Sequence, residues 1–168
     1  MNTRKIAFSA MFIALGLVLP IAFHSFNMGG PMFLPMHIPV LMAGILLGPV
    51  AGLFVGIVTP ILSSVMTGMP PMFPMLPIMI AELGIYGLSS GYIAKIMKRN
   101  AYVPLLVGMV DGRIAASLMV FIMSKFFGAQ ISAIPYIKGA IITGLPGILI
   151  QLVIIPPIIK LMRNNLSF

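Results

Sequence analysis

Cysteine is missing from this 168-residue chain, and so is tryptophan. Without thiols there is neither a disulfide framework nor a thiolate zinc site. Acid is almost absent: Glu82 and Asp111 stand against ten Lys and Arg. Most hydrolytic and metal chemistry needs several carboxylates, histidines or thiols, and the chain lacks that material. Charged residues of both signs make up only 7% of the chain, against about 25% in ordinary globular proteins. A surface wetted on all sides cannot be built from so little. The net charge of +8 would suit nucleic acid, but a basic patch must lie on a wetted surface, and here the cations sit between long apolar runs. What the chain has in quantity is hydrophobic residues, 60% of the total, with a mean hydropathy of +1.16. It reads as an integral membrane protein in a lipid bilayer, with no nucleic-acid partner.

A helix needs about 20 apolar residues to cross a hydrocarbon core about 30 Å thick. Charges and Gly/Pro clusters divide the chain into an all-α arrangement of six transmembrane helices. The first runs from about Ile6 to His24. The apolar run Met36–Thr67 is too long for one span, and Gly48-Pro49 splits it into His37–Leu47 and Val50–Met66. The remaining spans are Pro77–Ala94, Tyr102–Ser124 and about Gly139–Ile159. If both termini are cytoplasmic, Arg4, Lys5, Lys95, Lys98, Arg99, Lys160 and Arg163 fall inside. Lys125 and Lys138 fall outside, and Arg113 is buried, so the positive residues support six spans. The stretch after Arg4 and Lys5 has no clean small-x-small cleavage site, so it reads as a retained first helix. Residues 1–168 form a single membrane domain with no segment polar enough for a catalytic head.

Ionisable groups inside a membrane are costly and are functional candidates by default. Arg113 lies about 18 Å along the fifth span and Glu82 about 8 Å below the opposite surface. Together they form either a structural salt bridge or a site for a polar ligand. Asp111 falls on nearly the opposite helix face from Arg113 and is a candidate to pair with Lys95 or with a partner subunit. His24 and His37 bracket the first outer loop. With Glu82 they lack metal-site spacing, so no metal is expected, and His37 is better read as a hydrogen-bond donor to a ligand.

Other patterns resolve into packing. Gly87-Leu88-Ser89-Ser90-Gly91 matches G-x-S-x-G, but a nucleophile elbow needs a strand-to-helix turn and this one falls inside an apolar helix. The chain therefore does not read as an enzyme. Glycines at 44, 48, 52 and 56 recur every fourth residue, a spacing that lets helices approach closely in lipid. Ala7, Ala10 and Ala14 form a similar small-residue line on the first helix, for internal packing or for docking another subunit. Met28, Met32, Met36, Met69, Met72 and Met75 gather on two outer loops, as an adaptable lining over a pocket. They lack the tight Met-x-x-Met repetition expected of a copper site.

These pieces in this order resemble the substrate-specific (S) components of energy-coupling factor (ECF) transporters. The resemblance rests on Thr3-Arg4-Lys5-Ile6-Ala7 through Ala10 and Ala14, Leu34-Pro35-Met36-His37-Ile38-Pro39-Val40, Ala43-Gly44 through Gly48-Pro49 and Gly52 through Thr59-Pro60. Gly68-Met69-Pro70-Pro71, Ala81-Glu82-Leu83 and Gly112-Arg113 complete it. It implies capture of a vitamin from outside, without a cofactor, and uptake driven by a membrane scaffold subunit with two ABC ATPases. It also implies scaffold docking by Ala7, Ala10 and Ala14, a lid at Asn27–Pro35 that includes Asn27, and a bacterial cell membrane as the location. His37, Glu82, Tyr86, Arg113 and Thr143 would form the pocket, with Lys138 at its rim. Asp111 and the lack of tryptophan depart from the family pattern. A buried cation favours a ligand with a carboxylate or another acceptor; pantothenate suits it, and a pyrimidine or pyridine precursor would also use a buried acid–base pair. The rivals are a stand-alone proton- or ion-coupled transporter using Glu82 and Asp111, and a purely structural membrane subunit.

Overall fold

The computed structural model describes residues 3–25, 30–97 and 100–165. Among them the chain is helical, with no strand. The helices are α1 (Thr3–Ser25), α2 (Gly30–Phe33), α3 (His37–Leu47), α4 (Pro49–Thr67), α5 (Met75–Ile96), α6 (Tyr102–Phe127) and α7 (Ala133–Asn165). Five are long and apolar enough to cross a membrane: α1, α4, α5, α6 and α7. This is a multi-pass membrane protein. The sequence reading of six spans meets five helices of spanning length, because α3 has only 11 residues. At a rise of about 1.5 Å per residue it covers about 17 Å.

Its shortness has a local cause. Gly48 sits at φ 102°, a conformation that favours glycine, and its N–H still bonds the Gly44 carbonyl as a cap. Pro49 then opens α4, where its fixed φ suits a helix start and its missing N–H costs nothing. The resulting hairpin places α3 in the centre of the bundle. Every α3 residue except Ile38 is buried.

Glycine makes that centre possible. A Cβ on Gly52 would collide with the Gly87 carbonyl of α5, and one on Gly56 with the Leu83 carbonyl. Gly44 meets Gly87 and the Ser90 side chain, while Gly91 lies against Pro49. The four-residue glycine spacing and the Gly87–Gly91 pair are therefore one packing seam joining α3, α4 and α5, where backbones touch directly. The G-x-S-x-G match is part of that seam.

At the edges the bundle is looser. On α1, Ser9, Phe12 and Gly16 are buried, while Ala7, Ala10 and Ala14 lie on the exposed side with Met11, Leu15 and Val18. On α7, Gly147 lies against the backbone of Met32 and Phe33 and so seats α2. α7 continues through Pro146, Pro156 and Pro157 to a length of 33 residues, well beyond the Gly139–Ile159 expected.

Alternation of the helices separates two ends. Arg4, Lys5, Lys95, Lys160 and Arg163 lie at the end holding the Gly48 turn, where Arg163 Nη2 donates to the Ile45 carbonyl at 3.4 Å. Lys125 and Lys138 lie at the other end, beside the 68–74 loop. That loop is folded back on α4: Ser63 Oγ and Ser64 Oγ each donate, at 2.7 Å, to the carbonyls of Met69 and Pro70. Lys98 and Arg99 lie outside the described residues.

Candidate functional site

At the Lys125/Lys138 end the helices enclose a cavity of about 1060 Å³, large enough for a vitamin-sized molecule. Its walls are mainly apolar and come from every long helix. Pro20 and Ile21 close one side from α1, Met75 and Met79 another from α5, and Tyr136, Gly139, Ala140 and Thr143 a third from α7. Leu34, Pro35 and Met36 cross the mouth. Leu34 adopts φ 49°, unusual for a side-chain-bearing residue, and its carbonyl accepts from Gln151 Nε2 of α7 at 3.4 Å.

Three ionisable groups form the floor. Glu82 projects from α5 with its side chain 3% exposed, and Arg113 of α6 places Nη1 2.8 Å from Glu82 Oε1. His37, the first residue of α3, sets Nε2 3.6 Å from the same oxygen. Helix geometry explains the meeting. Gly112 brings α6 so close to α5 that a Cβ there would stand 3.0 Å from the Glu82 carbonyl and 2.7 Å from the Tyr86 ring. Arg113 can then lie across the seam onto Glu82. Tyr86, one turn along α5, packs edge-on against the His37 imidazole at a centroid distance of 5.1 Å.

The cluster has more hydrogen-bonding capacity than the protein uses. Arg113 Nε and Nη2 and both His37 nitrogens are buried without a hydrogen-bond partner. Each such group costs about 1–3 kcal/mol when left unmade. Charged groups within apolar helices are tolerated when paired or facing a cavity, and here the Glu82–Arg113 pair lies at the cavity floor.

Of the residues expected at the site, His37, Glu82, Arg113 and Thr143 line the cavity. Two expectations need correction. Tyr86 does not line it: at 2% exposure it lies beneath the floor and supports His37. Lys138, expected at the rim, is exposed and is not among the residues lining the cavity, whereas Gly139, Ala140 and Thr143 are. Asn27 lies outside the described residues, as does Met28. Asp111 is not paired with Lys95. It accepts a hydrogen bond from Ser89 Oγ across the outer side of α5 and α6.

Tyr136 is the clearest addition. It falls before the expected start of the last span, yet 136, 139, 140 and 143 follow the i, i+3, i+4, i+7 pattern of one helix face. Of the loop methionines, Met36, Met69 and Met75 reach the cavity, joined by Met79, while Met32 and Met72 are exposed. No group of three metal-capable side chains occurs among the described residues.

The family model described as "ECF transporter, substrate-specific component" matches residues 4–159. No curated protein and no solved structure matches the chain. The family match runs from the first turn of α1 into the last third of α7 and so takes in the whole cavity. The chain thus belongs to the substrate-specific components of ECF transporters, as a substrate-binding membrane subunit of a transport system.

Proposed function

We propose that this subunit captures a vitamin-sized solute carrying a carboxylate or comparable acceptor, with pantothenate the favoured candidate, and holds it in the cavity above Glu82 and Arg113. The observation that carries this reading is the unused hydrogen-bonding capacity of Arg113 and His37 at the floor of an apolar-walled cavity. A ligand acceptor there gains charge-assisted bonds between mainly apolar walls. Glu82 orients the guanidinium, and Tyr136 and Thr143 offer hydroxyls from α7. Methionine and proline walls take up the apolar part of the ligand.

The basic end with the Gly48 turn faces the cytoplasm on this reading, which follows the bias of positive residues. α3 counts as a sixth, short pass, both termini are cytoplasmic, and the cavity opens outward in a bacterial cell membrane. Of the expected lid, Leu34 and Pro35 line the cavity and serve as its cover. With no nucleotide-binding motif of its own, the subunit relies on the scaffold and the two ATPases with which such components work. The exposed small-residue line Ala7, Ala10 and Ala14 is the docking face for the scaffold.

Binding titration of the purified subunit against a vitamin panel tests this. Pantothenate, or another carboxylate vitamin, is expected to bind, and its amide to bind tenfold to a hundredfold more weakly, about 1.5–3 kcal/mol for a hydrogen bond to a charged group. Equal affinity for acid and amide would contradict the role given to Arg113.

A further inference from the structure

Between Thr143 and Lys160 the residues of α7 are apolar, glycine or proline except for Gln151, whose side chain is buried at 1% exposure. We infer that Gln151 is a positioning residue: by holding the Leu34 carbonyl it keeps the cover of the cavity seated on α7, and so sets how often the cavity opens. The inference rests on the solute-binding reading of that cavity.

A glutamine among apolar residues is costly unless its amide is bonded, and Gln151 Nε2 donates to the Leu34 carbonyl at 3.4 Å. The same oxygen accepts the His37 N–H at 3.1 Å. One carbonyl thereby ties together the mouth of the cavity, the first turn of α3 and the middle of α7. Leu34 needs such ties. At φ 49° it occupies the left-handed region, where a leucine persists only if its surroundings hold it.

Those surroundings form a seat. Gly144, Gly147 and Gln151 follow the i, i+3, i+7 pattern and share one face of α7. A Cβ on Gly147 would stand 2.7 Å from the Phe33 carbonyl and 2.8 Å from that of Met32, and one on Gly144 would stand 3.1 Å from Leu34 Cδ1. The two glycines let the 32–34 segment lie on bare helix backbone, and Gln151 supplies the bond that fixes it there.

The seat also meets the floor. The same Cβ on Gly144 would stand 3.3 Å from Arg113 Nη2, a guanidinium nitrogen without a hydrogen-bond partner. Leu34 and Arg113 therefore rest on one glycine, and a solute acceptor reaching Nη2 must share that space with the Leu34 side chain. Parting of Leu34 from Gln151 clears it. The facing rim is held harder: Met69 and Pro70 are pinned by Ser63 and Ser64 through two bonds of 2.7 Å, against one of 3.4 Å from Gln151. Opening accordingly falls to the Leu34 side.

The chain has no cysteine, so Met36→Cys places a single buried thiol in the segment that crosses the mouth. In detergent, its reaction with a charged, water-soluble methanethiosulfonate follows the fraction of time that the cover is lifted. Gln151→Met keeps the length of the side chain and removes the donor. It should raise that rate about threefold to tenfold, the scale of one neutral hydrogen bond. Gly147→Ala should raise it at least as much by crowding the Phe33 carbonyl. Ser90→Cys, buried in the glycine seam, reports general loosening, and Gln151→Met should leave its rate unchanged. An unchanged Met36→Cys rate in either variant would overturn the proposal. So would an equal rise at Ser90→Cys, which would make Gln151 a packing residue only. The assay contains no solute, so its failure is distinct from equal binding of acid and amide, which would break the carboxylate reading and leave the seat standing.

Discussion

The chain's two carboxylates lie on neighbouring helices and in different surroundings. Glu82 is turned into the bundle, where it meets Arg113 at 2.8 Å and His37 at 3.6 Å beneath a large cavity. Asp111 is turned the other way and, half-buried on the outer side of the α5–α6 seam, is held by the Ser89 hydroxyl. Both are acids in apolar helices and both violate the usual composition of a membrane span. The difference is the helix face. An inward acid acquires a cation, a neighbouring imidazole and a space for a ligand, whereas an outward acid acquires one hydroxyl.

The largest effects should come from breaking the inward pair. Glu82→Gln leaves the Arg113 guanidinium uncompensated and should destabilise the protein by about 3–5 kcal/mol, read as a fall in melting temperature in detergent. The double variant Glu82→Gln/Arg113→Gln removes both charges and should regain most of that stability while ligand affinity stays at least tenfold down. Recovery of binding together with stability would make the pair purely structural.

A smaller loss is expected at the newly identified wall residue. Tyr136→Phe keeps the ring and removes one hydroxyl, so affinity should fall about threefold to tenfold, the scale of one neutral hydrogen bond of about 0.5–1.5 kcal/mol. A titration that leaves affinity unchanged would take the Tyr136 hydroxyl out of the site.

The smallest effect belongs to the outward acid. Asp111→Asn keeps a group able to bond Ser89 and should change ligand affinity by less than about twofold, since the change lies outside the cavity and shares no partner with its floor. A loss as large as that from the inward pair would erase the distinction between the two faces.

Much of this contrast is legible in the amino-acid sequence. An isolated acid and an isolated cation in separate apolar runs predict each other, and Glu82 and Arg113 do meet. The glycine spacing at 44, 48, 52 and 56 and the break at Gly48-Pro49 also appear where the pattern puts them. Three features stay hidden because they depend on the rotational phase of helices. Tyr86 lies four residues from Glu82 and shares its face, yet it falls under the floor because α3 crosses there and His37 covers it. Lys138 and Tyr136 lie two residues apart, so only one of them can turn inward. Asp111 finds Ser89 because Gly108 and Gly112 let α6 lie against α5, a closeness that hydropathy does not record. α7 starts at Ala133, ahead of the expected Gly139, because a charge at Lys138 marks the end of an apolar run without ending a helix, and Pro135 is tolerated in a first helical turn.

The most direct test of the central claim is to denature the purified subunit and identify the small molecule released, alongside the Glu82→Gln/Arg113→Gln variant. The account predicts a stoichiometric carboxylate-bearing vitamin from the unmodified protein and little or none from the equally folded variant. The same molecule released in equal amount from both would contradict it.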